Sequence, residues 1–528
     1  MLQKIKTIRG KDILLFFKNI PIPFYLIGLL LWWFVSGGLE NYHDWTTFKK
    51  IILLLGFLSA LNLVGLLYTM HFKKLELFKV YFPMGLIFGL MMMLLIPMYC
   101  APDEHYHYWK AYQISNEMMG IDSPDDGIKM RIGDYAMPVK TDYKGRDELE
   151  KYYSKLDDGI GEDAMLIETE NIAVNEFDYQ YYLPAVGITI GRLLHMGAVP
   201  TALLGRLMNL LLYTALVALA IKEIPKGKMV LFMVAMLPMS LQQAASFSYD
   251  ALINSTSIVV LAFTAKILMG EIGKMTKPLW AVYAISAMLL ASTKHYCYIL
   301  VALLPVVILP FVWKEKEYRK KILAVLILVL TATVVLGVYK ALVDIGEPIG
   351  TGILGGDDNC YTVGTILHNT RLIPELIFRT FNVVFTWHIL SMLGEQLGWF
   401  NILLPGVFTY CWIVLLLCSG LRKNSEEHVF GENAKTFIER HRYFGMGLVA
   451  FLTVGFVYGG MLLVTPVTST TIMGVQGRYF LPVLPIALLG LKKVRIRIDG
   501  DTHLSDQAMI LWAFFLEMSL MFIAQYRL

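Results

Sequence analysis

Cysteine is scarce: 5 of 528 residues, an odd number, scattered at Cys100, Cys297, Cys360, Cys411 and Cys418 in mostly apolar surroundings. That pattern suggests neither a disulfide framework nor a paired CxxC metal site. Charge is scarce as well, at 17% Asp, Glu, Lys and Arg against about 25% in soluble domains. No GxGxxG follows a strand and no GxxxxGK[ST] occurs, so a nucleotide-sugar enzyme of the soluble type and an ATP-driven pump find no support. No internal repeat is evident, and no small-residue cleavage site follows the first apolar run. Lys4, Lys6, Arg9, Lys11 and Lys18 before that run read as a cytoplasmic flank to a retained span.

What the chain has is apolar length. Hydrophobic residues make up 56%, above the roughly 45–50% of soluble domains, and the mean hydropathy is +0.57. The fold class expected is an all-α polytopic membrane protein. Runs near the about 20 residues a span needs lie at 21–37, 50–70, 79–99, 202–221, 229–247, 251–270, 279–293, 296–313, 321–342, 401–420, 444–465, 479–492 and 507–525, about thirteen in all. The basic loops Lys73 to Lys79, Lys222 to Lys228, Lys274 to Lys277, Lys314 to Lys321, Arg422 to Arg442 and Lys492 to Arg497 all fall on the cytoplasmic side if the amino terminus is cytoplasmic. This topology divides the chain into an amino-terminal part with two spans (1–78), a transmembrane core (79–492), and a cytoplasmic loop with one span (493–528).

Two external regions follow from that topology. In 100–182 acidic residues outnumber basic ones by about two to one, opposite to the cytoplasmic loops, and a small folded cap is expected there. The stretch Leu183 to Val199, broken by glycine and carrying Arg192 and His195, is expected to lie on the membrane surface. Residues 343–400 form the second external region, with Leu372 to Leu390 read as re-entrant or juxtamembrane.

The stretch Ala101-Pro102-Asp103-Glu104-His105-Tyr106-His107 places two carboxylates and two histidines where the third span meets water. Ionisable groups are costly at such a depth unless they act, though a solvated helix end is the simpler account of this segment alone. The same topology brings Arg206 and Asn209, Asp250, Lys294 and Tyr296, and Gln476 and Arg478 to that depth. Gathered carboxylates and cations suit a site that deprotonates a hydroxyl and holds a phosphate. Each residue also has a plainer role: Lys294 and Arg206 as interface anchors, Asp250 as a helix N-cap. Arg478, with Gly477 beside it, fits close two-point binding of an anion. Asp103 and Glu104 with His105 and His107 are a weak donor set for a divalent cation, the one cofactor the sequence leaves open.

Pro102-Asp103-Glu104-x-x-His107, Lys110-Ala111-x-x-x-Ser115, Tyr182-x-Pro184, Arg206-x-x-Asn209, Leu237-Pro238, Gln243-x-x-Ser246-x-Ser248-x-Asp250, Lys294-x-Tyr296, Gly398-Trp399 and Gln476-Gly477-Arg478-Tyr479-Phe480-x-Pro482 occur in this order over about residues 80 to 490. Together they resemble a family of predicted bacterial multi-pass membrane proteins that long carried only a domain-of-unknown-function label. Lys110 stands where arginine is expected, and Asn401 where aspartate is expected. That family in turn resembles the GT-C superfamily of polyprenyl-phosphate-dependent glycosyltransferases. The resemblance implies Asp103 as general base with Glu104 as its partner and His107 beside them. It further implies Arg478, Lys294 and Arg206 on the donor phosphate, with Asp250, Asn209, Gln476, Tyr296 and Trp399 as further substrate contacts.

Two function classes follow. The first is an integral-membrane, inverting glycosyltransferase, with a polyprenyl-phosphate-linked sugar as donor, an envelope glycan as acceptor, and the outer face as the side of chemistry. The second is a transporter or flippase for lipid-linked sugars, in which ionisable residues line a path near the bilayer midplane between broken helices. A non-catalytic scaffold of envelope assembly is a third, blander option. The partners expected are the lipid bilayer, the donor and the acceptor, and no nucleic acid.

Overall fold

The computed structural model describes residues 76–123, 127–137, 164–169, 179–343, 371–421, 444–491 and 502–527, with isolated positions and runs of up to three residues outside them. The expected spans at 21–37 and 50–70, the basic loops at Arg422 to Arg442 and Lys492 to Arg497, and the Gly-rich run Gly352 to Asp358 lie outside the described residues. The described chain is mostly helical. Six helices among the described residues are long and apolar enough to cross a membrane. Five of those candidate spans begin at the helices α1 Leu77–Leu95, α4 Ala198–Glu223, α7 Asp250–Lys266, α9 Lys316–Val343 and α12 Phe444–Leu462. The sixth is α10 Leu372–Leu393, an unbroken helix of 22 residues. The stretch expected to be re-entrant therefore has the length and composition of a span. Two further apolar helices are shorter, α8 Lys277–Ala291 and α11 Gly406–Leu421.

Three expected spans are not continuous helices, and each is broken by proline. The run at 229–247 is two short helices, α5 Lys228–Ala235 and α6 Pro238–Ala244, parted where Pro238 starts the second. The run at 296–313, with Pro305 and Pro310, consists of single turns at Ile299–Ala302, Leu304–Ile308 and Leu309–Val312. The run at 479–492, with Pro482 and Pro485, is a 3-10 turn Gly477–Phe480 followed by the seven-residue α13 Leu484–Gly490.

α7 is the innermost element, buried at every position from Asp250 to Lys266. Its Ser255, Thr256 and Ser257 hydroxyls donate to carbonyls three or four residues back, so polar side chains lie in the bundle without needing outside partners. α4 packs on α7 and on α1. α3 Tyr182–Leu193 has 12 residues, too short to cross a bilayer by itself. It is fused to α4 through Gly187 and Gly191: a Cβ on Gly187 would strike the Leu204 carbonyl, and one on Gly191 would lie 2.9 Å from Thr201 Cα. α3 turns Val186, Ile190, Leu193 and Leu194 outward.

The part of the expected cap that is described is built on α2 Glu104–Met118. A two-stranded antiparallel pair, β1 Lys129–Arg131 with β2 Leu166–Glu168, adjoins it. Arg131 holds the pair in place, donating twice to Asp134, at 2.6 and 2.9 Å, and also to the Met196 carbonyl and Thr201. Tyr112 of α2 donates to the same Asp134, and Arg192 of α3 donates to Ser115 and Asn116 of α2. A second small pair, β3 Gln396–Leu397 with β4 Ile402–Leu403, follows α10. α14 Thr502–Arg527 packs against α1 and α11 and encloses Glu517, whose two carboxylate oxygens have no hydrogen-bond partner.

Candidate functional site

The chain leaves α1 at Leu95 and turns through Pro97 to Asp103, whose backbone is left-handed at φ 60. α2 then starts at Glu104. This turn sends the two neighbouring carboxylates to different places. Glu104 is 0% exposed and meets Arg206 of α4, itself 1% exposed, through two bonds: Nε to Oε1 at 2.8 Å and Nη2 to Oε2 at 2.6 Å. Glu104 also accepts from the Tyr99 and Phe247 amides. Arg206 spends its remaining donors on the Met93, Ile96 and Pro97 carbonyls. Every donor of the guanidinium is therefore used within the protein. Arg206 is thus not a phosphate ligand, and Glu104 has no lone pair left for an acceptor or a cation. Both expectations are corrected: the pair ties α2 and α4 to the end of α1.

Asp103 goes the other way. Its side chain is 54% exposed, and Oδ2 lies 3.5 Å from Nη2 of Arg478. Arg478 belongs to the 3-10 turn Gly477–Phe480 and is 6% exposed. Its Nε is 3.4 Å from Asp250 Oδ2, an ion pair by distance without hydrogen-bond geometry, and Nε and Nη1 are both enclosed with no hydrogen-bond partner. Lys294 completes the group. Its ammonium is 3.5 Å from Asp250 Oδ1 and 3.2 Å from the centre of the Tyr479 ring, a cation on an aromatic face. Asp250 is the first residue of α7, but Tyr249 occupies the N-cap position and no side-chain cap bond forms there. Asp250 instead faces the two cations. Asp103, Asp250, Lys294 and Arg478 thus sit together where four helical stretches begin or end.

Arg478 is held from behind. His388 of α10 donates from Nε2 to the Val475 carbonyl, and its Nδ1 accepts from the Tyr458 hydroxyl of α12. Gly477 packs so tightly on α10 that a Cβ would strike the His388 carbonyl and the Met392 amide. The glycine is needed for this approach of turn to helix. Tyr298 donates to the Tyr479 carbonyl at 2.9 Å and fixes the far end of the turn.

His107 lies one turn along α2 from Asp103, its amide donating to the Asp103 carbonyl. The ring pairs through Nδ1 with the Tyr181 hydroxyl rather than with a carboxylate, and Tyr249 lies edge-on at 5.0 Å. Burial lowers its pKa to about 3, with Arg478, Lys294 and Lys110 acting in the same direction and Asp250 opposing. His107 is a neutral imidazole at physiological pH.

The remaining expected contacts divide. Asn209, three residues from Arg206 on the same face of α4, donates to the Ser246 and Ser248 carbonyls and shapes the turn that delivers Asp250. Tyr296 points its hydroxyl at Gly337 of α9, away from the cluster. Gln476 keeps its side-chain oxygen enclosed and without a partner at the start of the Arg478 turn. Trp399 stacks near His105. Gln242, which binds the backbone of Gly398 in both directions, and the His388–Tyr458 clamp were not singled out as site-forming in the sequence reading. A polar group inside an otherwise apolar run, Tyr458 within Phe444–Leu462, is the signal that marks the clamp. A divalent cation does not fit: Glu104 is committed to Arg206, and no group of three or more His, Cys, Asp or Glu side chains forms a cation site among the described residues.

Residues 86–487 match the family described as "Predicted membrane protein (DUF2142)", and the chain belongs to that family. No curated protein and no solved structure matches it.

Proposed function

From a member of that membrane-protein family, we propose an integral-membrane glycosyltransferase of the GT-C kind, moving a sugar from a polyprenyl-phosphate carrier to an envelope glycan at the outer face. The observation that carries the reading is Arg478: an enclosed guanidinium between two aspartates, with no hydrogen bond at Nε or Nη1. Unpaired buried donors are rare and call for a partner, and phosphate oxygens match a guanidinium well. In this reading Asp103 takes the proton of the acceptor hydroxyl as its oxygen attacks the anomeric carbon. The bond from that carbon to the carrier phosphate breaks, and its electron pair leaves on the phosphate oxygen, held by Arg478 and Lys294. One displacement inverts configuration and leaves no sugar on the protein. Asp250 sets the two cations in place.

A lipid-linked-sugar transporter or flippase is the second reading, favoured by one observation. Lys294 lies just after α8, at the start of the proline-broken stretch that runs to Val312, and discontinuous helices are a transporter feature. Against it, Asp103, Asp250 and Lys294 lie at or beyond the ends of the apolar helices α1, α7 and α8 and not midway along one.

One experiment separates the two. Purified protein in detergent, given a polyprenyl-phosphate sugar and glycan isolated from cells lacking the chain, forms a new glycosidic bond only if it is a transferase. Product from native protein and none from Asp103→Asn supports the first reading. No product, together with movement of the donor across vesicle membranes, supports the second.

A further inference from the structure

We propose that His105, Trp109 and Trp399 form a saccharide-binding wall beside Asp103, against which a neutral sugar ring of the acceptor lies; the proposal rests on the glycosyl-transfer reading above. The His105 and Trp399 rings are nearly parallel, 15° apart with centroids at 6.2 Å, and Trp109 meets His105 edge-on at 5.1 Å. All three side chains are partly exposed.

The wall is fixed from two directions. His105 and Trp109 are four residues apart on one face of α2, and the carboxylate expected to act as base is two residues before His105. Trp399 sits in the turn between β3 and β4. Gln242 of α6 holds that turn, accepting from the Gly398 amide at 2.8 Å and donating to the Gly398 carbonyl at 3.3 Å. Trp387 donates to Gln396 at 2.6 Å on the other side. Partly exposed rings on so constrained a turn lose little freedom when a ligand settles on them.

The chemistry of the wall selects the ligand. A pyranose has an apolar face of C–H groups, whose slightly positive hydrogens suit the negative face of an aromatic ring, and a rim of hydroxyls. His105 Nδ1 is enclosed among these rings and lacks a partner. Burial lowers the His105 pKa, so the imidazole is neutral, with one nitrogen a donor and the other an acceptor. A hydroxyl both donates and accepts, so the polar rim of a sugar tolerates either tautomer of a ring it rests against. A lipid tail meets the same rings with no use for the polar imidazole. An anionic ligand meets the half-exposed Asp103 carboxylate.

The test is calorimetric titration of the full chain in lipid discs, without donor, using glycan fragments released from envelopes of cells lacking the chain. Saturable binding is expected, weakened about tenfold in Trp399→Ala and largely restored in Trp399→Phe, the size of one lost aromatic contact. In the transfer assay Trp399→Ala should raise the acceptor KM with the donor KM unchanged. Equal affinity in native and Trp399→Ala protein, or no saturable binding by native protein, overturns the proposal. So does quenching of Trp399 by brominated acyl chains that the glycan does not displace. No bond is made in the titration, so its failure leaves the transfer reading standing on Asp103→Asn, and failure of that variant to lose transfer leaves the titration informative about binding.

Discussion

Glu104 and Arg206 close a two-point ion pair at the junction of α1, α2 and α4, with both side chains shut off from solvent. Removing one partner of such a pair leaves a bare buried charge and costs about 3–5 kcal/mol. Glu104→Gln is therefore expected to unfold at lower temperature and to express poorly. Thermal unfolding in detergent, beside Asp103→Asn, is the measurement. Native-like stability of Glu104→Gln would return Glu104 to the list of substrate-contacting groups.

Asp103→Asn should behave in the opposite way. The side chain is half exposed and its contact with Arg478 is long, at 3.5 Å, so stability should change little. Transfer should fall by about 10²–10⁴-fold, the usual contribution of a positioned general base. Turnover at the native rate by this variant would remove Asp103 from the mechanism.

Arg478→Lys keeps the charge and loses the planar fork, so donor binding should weaken more than stability does. Gly477→Ala is the companion change. It pushes the turn off α10 and should lower donor affinity with Arg478 still present. Donor affinity measured by competition with free polyprenyl phosphate reads both variants. An unchanged value in Arg478→Lys and Arg478→Ala would end the phosphate assignment.

His107 supplies a pH dependence whose sign can be worked out. Its folded-state pKa of about 3 lies below the unfolded value of about 6.5, so the unfolded chain takes up a proton before the folded one does. The stability contributed is complete above about pH 6.5 and is lost as pH falls toward 3. His107→Gln should flatten unfolding temperature against pH between 7 and 4. A histidine ionisation seen in the native transfer rate between pH 5 and 8 should not vanish in this variant, because His107 does not titrate there.

Topology is checked by labelling. With the native cysteines replaced, an impermeant thiol reagent applied from outside should modify a cysteine at Glu117 and spare one at Lys320, both exposed positions. The reverse pattern would move the ion cluster to the cytoplasmic face.

The convergence of Asp103, Asp250, Lys294 and Arg478 was legible because span ends share a depth, and a span end can be read from hydropathy. The separation of Asp103 from Glu104 was not. Adjacent acids look like a pair on paper, and only the left-handed backbone at Asp103 sends them apart. The broken spans carried their signal openly: Pro238, Pro305, Pro310, Pro482 and Pro485 lie inside runs that hydropathy alone scores as continuous. The packing of Gly477 on α10 was not legible, since nothing local to Gln476-Gly477-Arg478 announces that helix. Arg206-x-x-Asn209 marks one helix face, yet which face meets Glu104 and which the turn at Ser246 is a property of the packed bundle.

Glu517 bears on what holds α14 in place. It lies in α14, beyond the family-matched residues 86–487, enclosed and with both oxygens unpaired. A charged residue near the middle of a helix makes entry into lipid unfavourable by roughly 3 kcal/mol on insertion scales, so α14 is a poor inserter on its own. Phe514, one turn away, meets Phe88 of α1 at 5.3 Å, and this seam against an existing helix offers the segment something better than bare lipid. The place of α14 in the protein thus depends on α1 and α11, which keep Glu517 out of contact with lipid.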